Sequence, residues 1–353
     1  MHTALVTVSP STAGDSTLSA MLAVGLYVDP AATVPADPVV VPVTLASGYS
    51  YPYAPDLAAD PIRPFFYLSD GAEILVYNVQ TGALDGSVSI TGAKLAAMAV
   101  KADGSTLWVE DSATGTLYPV DLASRTVGAA LAGARLATAI AWSPVDGHDV
   151  IFTTSQQAVD AQNGAIADAK ISSTLGGWES LAASPDGRAL FVQNGWIGNH
   201  DLARLETHAA SGAVVAWQTH LFNEPGDGDG LALSVDGARL YTNSPWHVTS
   251  GPTWDGDVYD AGTMALVQHL VESSDRYLST ADGELVSVLT SRDTGGSTYT
   301  TTVSTYGADL TVLPATVSIP GTVSRAARSG DDHRLGFLGS ASSATRVVFF
   351  ERP

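Results

Sequence analysis

Leu181-Ala-Ala-Ser-Pro-Asp-Gly-Arg-Ala-Leu-Phe-Val192 is the stretch that decides the fold. An apolar run meets an Asp-Gly pair, the strongest short-range hairpin signal, and a second run rich in aromatic and β-branched residues follows. The same order recurs as Leu231-Ala-Leu-Ser-Val-Asp-Gly-Ala-Arg-Leu-Tyr241 and as Ala97-Met-Ala-Val-Lys-Ala-Asp-Gly-Ser-Thr-Leu-Trp-Val109. Weaker copies cover 139–152, 277–288 and 326–338, and a degenerate one covers 57–68. The aligned turn positions are Asp60, Asp103, Asp146, Asp186, Asp236, Asp282 and Asp331, spaced by 43, 43, 40, 50, 46 and 49 residues. Seven units of that period predict a propeller and not a helical solenoid.

Each unit reads as four strands, a to d from the centre outward. Strand a leads into the Asp-Gly turn, and strand b follows, as in Leu107-Trp-Val109. Strand c ends in a Gly-containing turn, as in Ile74-Leu-Val-Tyr-Asn-Val-Gln-Thr-Gly82, and strand d alternates apolar with small residues, as in Gly86-Ser-Val-Ser-Ile90. Helical periodicity is not sustained over three turns anywhere. The last unit supplies only a, b and c, the last at Arg346-Val-Val-Phe-Phe-Glu351. Its fourth strand is available before the first unit, at Val39-Val-Val-Pro-Val-Thr-Leu45. Borrowing it removes two open sheet edges, and Pro42 is tolerated because strand d is an edge. The expectation is an all-β, seven-bladed β-propeller of four-stranded antiparallel blades over 39–353, its last blade closed by an N-terminal strand. Residues 1–38 fall outside it as an extension or junction, with a strand at Thr3 to Ser9.

These repeats resemble the bacterial YVTN/lactonase-like group of seven-bladed propellers, on Ser184-Pro-Asp-Gly187, Leu240-Tyr-Thr242 and Asn78-Val-Gln-Thr-Gly82. The resemblance spans about 39–353 and rests on structural motifs. It implies the fold and little chemistry, because that group holds lactonases, lyase-like proteins, redox-enzyme subunits and surface proteins. No catalytic motif is matched, so no catalytic residue is carried over from it.

Composition narrows the function classes. With 16 Lys and Arg against 36 Asp and Glu, the net charge is −20, the wrong sign for a nucleic-acid backbone or an anionic membrane surface. No apolar run reaches the roughly 18 residues of a membrane span. There is no cysteine, which excludes disulfides, thiolate metal sites and thiol nucleophiles, and is compatible with a bacterial exported protein. The first basic side chain is Arg63, so the apolar stretch Leu18 to Val28 lacks the charged start of a secretory signal. A cytoplasmic chain and one that begins after a removed signal or upstream domain both fit. The second is the expectation, and with it a periplasmic or cell-surface location.

Strand alternation puts the b-to-c and d-to-a connections on one face and the a-to-b and c-to-d turns on the other. Three b-to-c connections are long: Asn194 to Asp201, Asn243 to Asp257 and Ser291 to Ser297. The longest d-to-a link, Phe222 to Gly230, lies between the first two. Long loops in compact domains are disproportionately functional. Together they gather Trp196, His200, Asp201, Asp227, Asp229, Trp246, His247, Trp254, Asp255 and Asp257. Trp196, His200, Asp201, Asp229, Trp246, His247, Trp254 and Asp255 suit a carbohydrate or a protein partner, through ring stacking and hydrogen bonding. The competing reading has the tryptophans plugging the blade tops and the acids capping turns.

Asp227, Asp229, Asp255 and Asp257 are hard oxygen donors beside glycines, the chemistry of Ca2+, yet neither segment continues into a twelve-residue calcium loop. Ca2+ is therefore the candidate ion, and no obligatory cofactor is expected. A transition ion held by His200 and His247 is a weaker alternative. His2, His148, His208, His220, His269 and His333 read as surface or structural residues. Nucleophile-elbow, zinc-protease and phosphate-loop motifs are missing, and Gly226-x-Gly228-x-Gly230 lacks the strand and helix of a dinucleotide site. Arg276 and Arg325 begin inner strands, where they either meet an anion in the channel or compensate nearby Asp. The reading is a non-catalytic binding or scaffold propeller that uses the rim of blades four to six. The alternative is a lyase- or lactonase-type enzyme at the channel mouth, with His200, His247 and Asp229 in acid–base roles.

Overall fold

The computed structural model describes residues 2–8, 20–26, 38–46, 53–168, 180–193, 201–207, 209–210, 213–214, 222–223, 230–243, 256–270, 274–292, 298–341 and 344–353. Among the described residues there is no helix, and seven four-stranded antiparallel sheets form the blades. Each inner strand touches the inner strand of the next blade, and that of the seventh (Thr322–Arg328) touches that of the first (Leu57–Ala59), so the ring is closed. The seven-bladed propeller read from the repeats is the observed fold.

The hydrophobic core lies between blades and not at the axis. Strand b of blade one, Phe65–Asp70, shows why. Phe65 and Tyr67 pack toward blade two with Leu95, Leu107 and Val109, while Phe66 and Leu68 pack toward blade seven with Leu338, Val347 and Phe349. Seven such clusters occur, one at each blade-to-blade interface. A sheet covered on both sides needs apolar residues at successive positions, which is why strand b reads as a continuous run.

The last blade closes as the sequence predicts. Val39–Pro42 pairs antiparallel with Ala344–Glu351, Val39 opposite Phe349 and Pro42 opposite Arg346. The Val43 amide adds a bond to the Thr345 carbonyl at 3.0 Å. Val39, Val41, Val43 and Leu45 join the cluster around Phe349, which stacks on Phe66 at 5.4 Å between ring centroids. From the other end of the chain, Arg352 pairs with Asp282 at 2.8 Å and Glu284 at 3.4 Å in blade six.

The a-to-b turns of blades four, five and seven share one hydrogen-bonding device. In blade four Ser184 Oγ donates to Asp186 Oδ1 at 2.7 Å and accepts the amides of Arg188 and Ala189 at 3.1 and 2.8 Å. Ser234 with Asp236, and Ser329 with Asp331, repeat it. Blade one departs: Asp60 is buried, accepts the amides of Ile62 and Arg63, and pairs with the Arg63 guanidinium at 3.0 Å. In blade seven Asp332, with φ of 61°, occupies the left-handed position that glycine fills in blades two to six.

Several boundaries differ from the sequence reading. Phe222–Asn223 is the outer strand of blade four, paired with Leu202 and Asp201, and not part of the following link. Asp201 opens strand c of blade four, and Gly256–Asp260 forms strand c of blade five, so Asp201 and Asp257 are strand residues. Ser291 and Arg292 end strand b of blade six. The N-terminal strand is His2–Val8, paired with Ala20–Leu26 in a two-stranded sheet that shares no strand with any blade.

Candidate functional site

The face carrying the b-to-c and d-to-a connections has two described sectors of interest. The first is the outer half of blade five. There strand c (Gly256–Asp260) and strand d (Leu266–Leu270) place Asp257 directly opposite His269. Cross-strand partners on one sheet face stand close enough to bond, and His269 Nδ1 lies 2.6 Å from Asp257 Oδ1. Tyr259, two residues along the same strand, donates its hydroxyl to Asp257 Oδ2 at 3.2 Å. Asp257 is buried and the His269 ring is half-exposed.

Both Asp257 oxygens are thus occupied within its own blade. A carboxylate held this way orients an imidazole. Among the described residues no group of three or more His, Asp or Glu side chains is placed to hold a metal ion. Trp196, His200, Asp227, Asp229, Trp246, His247, Trp254 and Asp255 lie outside the described residues, and so does the side chain of Asp201. His269 belongs among the candidates, although it read as one scattered histidine. The signal that finds it is its antiparallel register with Asp257, which needs the strand boundaries.

The second sector spans blades two and three. Its d-to-a link, residues 128–139, joins Val127 to Ile140 and is longer than the link after Asn223 that the sequence singled out. Strand c of blade two carries Pro119, which has no amide to donate, and the outer strand beside it shrinks to Thr126–Val127. The chain rejoins strand c at Leu131, paired with Leu117, and then crosses to blade three as a strap. Buried and half-buried side chains hold it there. Gln157 Oε1 accepts the Arg135 amide at 2.6 Å, Thr154 Oγ1 accepts the Thr138 amide at 2.8 Å, and Glu110 Oε1 accepts the Ala137 amide at 2.7 Å. Arg135 itself reaches Asp168 at 2.6 Å.

At the ring centre Arg325 settles one of the alternatives. Its Nε lies 3.2 Å from Asp56 Oδ1, and Asp56 Oδ2 accepts the Met98 amide at 2.9 Å. This arginine compensates an aspartate and ties blade seven to blades one and two. Arg276, the first residue of blade six's inner strand, stands opposite Val288 and is half-buried.

The fold and this face define the class: the chain is a seven-bladed β-propeller. No protein-family model matches the sequence, and no curated protein matches it. Its fold is similar to that of a chain in a solved structure of Kuenenia stuttgartiensis hydrazine synthase. That match has 15% identity and a TM-score of 0.58, covering 85% of this chain and 98% of the other. It is also similar to a chain in the crystal structure of a mitotic checkpoint complex, at 19% identity and a TM-score of 0.62 over 94% of this chain and 99% of the other. At such identities the likeness concerns the fold alone.

Proposed function

We propose that the protein is a binding propeller that receives a protein partner on the face bearing the connections of blades four to six. One observation carries the reading. The strand ends that flank 194–200, 224–229, 244–255 and 293–297 belong to three consecutive blades and lie on one face, whereas hydrogen-bonded turns close the other. A net charge of −20 favours a partner with a basic surface. A propeller of this shape within the mitotic checkpoint complex is an instance of the fold serving in an assembly. Carbohydrate binding through Trp196, Trp246 and Trp254, membership of the YVTN/lactonase-like group, and a location outside the cytoplasm are the finer parts of the proposal.

The test replaces 246–254 with a short Gly-Ser segment, which spares the paired residues Asn243 and Gly256. Cross-linked partner should disappear while the thermal midpoint stays put. Undiminished capture by the trimmed chain refutes the reading.

A second reading rests on the 2.6 Å contact between Asp257 and His269 beside the longest of those connections. In a lyase or lactonase this pair acts as an oriented base. Lactones and uronate polysaccharides, assayed with and without divalent metal, decide it: turnover lost in both His269→Ala and His247→Ala favours an enzyme, and no turnover in the parent chain removes it.

A further inference from the structure

Glu110 is the penultimate residue of strand b of blade two, and it is only 1% exposed. Its Oε1 accepts the Ala137 amide from the strap, and its Oε2 has no hydrogen-bond partner. A buried carboxylate without a second donor is costly; the neutral acid keeps the same bond and leaves one O–H unmet, a smaller cost than a buried charge. The strap's other ties, the Arg135 amide on Gln157, the Thr138 and Ala139 amides on Thr154 and the Leu131–Leu117 bridge, involve no group that changes charge near neutral pH. Ala134 and Ala137 are its buried residues, Gly128 and Gly133 interrupt it, and Arg135 and Leu136 are exposed.

We propose that residues 128–139 form a pH-governed latch, closed across blades two and three while Glu110 is protonated and released when it ionises. No cation offsets that charge. On its own strand Asp111 repels it. The Asp111 carboxylate accepts the backbone amide of Lys94 at 2.9 Å. From the strap Arg135 turns away to Asp168 and the Gln156 carbonyl. From blade three the side chains that hold the strap, Gln157 and Thr154, are neutral.

Burial pushes the Glu110 carboxyl up to about 8, against the pull of the Ala137 amide and with the repulsion of Asp111 adding to it. An ordinary value, near 4.5, returns once water reaches the opened site. Opening therefore grows about tenfold per pH unit between those values and levels off above the higher one. The strap lies on the same face as the enlarged connections, so its release reshapes that surface beside them. The latch holds or fails independently of what the face binds.

Trypsin reads the latch directly, because Arg135 sits within the strap with its side chain 44% exposed. Arg188, whose side chain is 85% exposed on the opposite face, supplies an internal standard for the protease's own pH response. The ratio of cleavage after Arg135 to cleavage after Arg188 should rise up to about a hundredfold from pH 6 to pH 8. In Glu110→Gln, which keeps the acceptor and cannot ionise, the ratio should stay flat. A flat ratio in the parent protein, or an equal rise in Glu110→Gln, overturns the latch. Amide exchange at Ala137, corrected for base catalysis, gives the same answer without a variant: protection that does not fall with pH refutes it.

Discussion

Replacing Gly82 with alanine tests ring closure at the point where the N-terminal strand lands. Gly82 has a φ of +68°, and an added Cβ would lie 2.6 Å from Val39 Cγ1, 3.2 Å from Val41 Cγ2 and 3.4 Å from Phe349 Cδ2. Two costs follow. The left-handed backbone disfavours any L side chain by about 1–2 kcal/mol. Crowding against the closing strand adds about 1–3 kcal/mol, since a packed interior yields little to an extra methyl.

Gly92 isolates the first cost, because its φ is +80° and nothing lies within 4 Å of its would-be Cβ. Urea unfolding of both variants, followed by tryptophan fluorescence at unchanged slope, should show Gly82→Ala losing about 1–3 kcal/mol more than Gly92→Ala. Val39→Ala removes the clashing methyl, so in the Gly82→Ala background it should restore part of the loss, with a coupling of about 1–2 kcal/mol. Equal losses at the two glycines, together with no coupling to Val39, would refute closure by that strand.

Three further outcomes follow from the turns and the buried acid. Ser184→Ala removes the acceptor of two amides and should cost about 1–3 kcal/mol in denaturant unfolding, whereas Ser105→Ala, whose hydroxyl meets Thr106 and Asp103 at the surface, should cost under about 0.5 kcal/mol. Glu110 has a raised folded-state value, so the stability it contributes is complete below about pH 4.5 and is lost as pH rises through about 8. That loss is on the order of 4 kcal/mol, reduced by any strap opening, and a pH series on Glu110→Gln should show it gone. Asp282 is held well below the usual carboxylate range by the Arg352 guanidinium, then by the Thr280 hydroxyl. That stability is present above the usual carboxylate value and is lost as pH falls, so Arg352→Met should cost at most about 1 kcal/mol at pH 7, the pair being half-exposed, and nothing in strong acid.

Seven blades and their closure were legible because the signals are local and repeated. Ser184-Pro-Asp-Gly187 states its own turn, and Val39-Val-Val-Pro42 is an apolar strand with no other blade to complete. The boundaries of blade four were not legible. Thr207 to Leu221 separates strand c from Phe222–Asn223, and no turn residue marks where a two-residue outer strand begins. Within the candidate site, composition singled out Asp257 as a metal-ligand candidate but not His269, which the structure places opposite it. His269 lies twelve residues on, and its position opposite depends on a register that shifts between Val258 and Tyr259. Glu110 gave no signal at all, because a single Glu near the end of a strand looks solvated until the strap from 128–139 is seen to cover it.

The two faces explain why fold and function separate in this way. Turns on one face are fixed by short-range chemistry: Asn78 Oδ1 accepts the amides of Gln80 and Thr81, Asp160 Oδ1 that of Gln162, and Asp260 Oδ1 that of Thr263. Each satisfies its own backbone within a few residues, so the same letters recur from blade to blade and every copy reports the fold. Connections on the other face are relieved of that duty, because the interblade clusters already hold the strands that enter and leave them. They can lengthen without loosening the ring, since loop closure costs grow only slowly with length. Sequence on that face is consequently freer to vary, and substitutions in the segments 194–200 and 244–255 should leave folding intact while altering the binding proposed for that face.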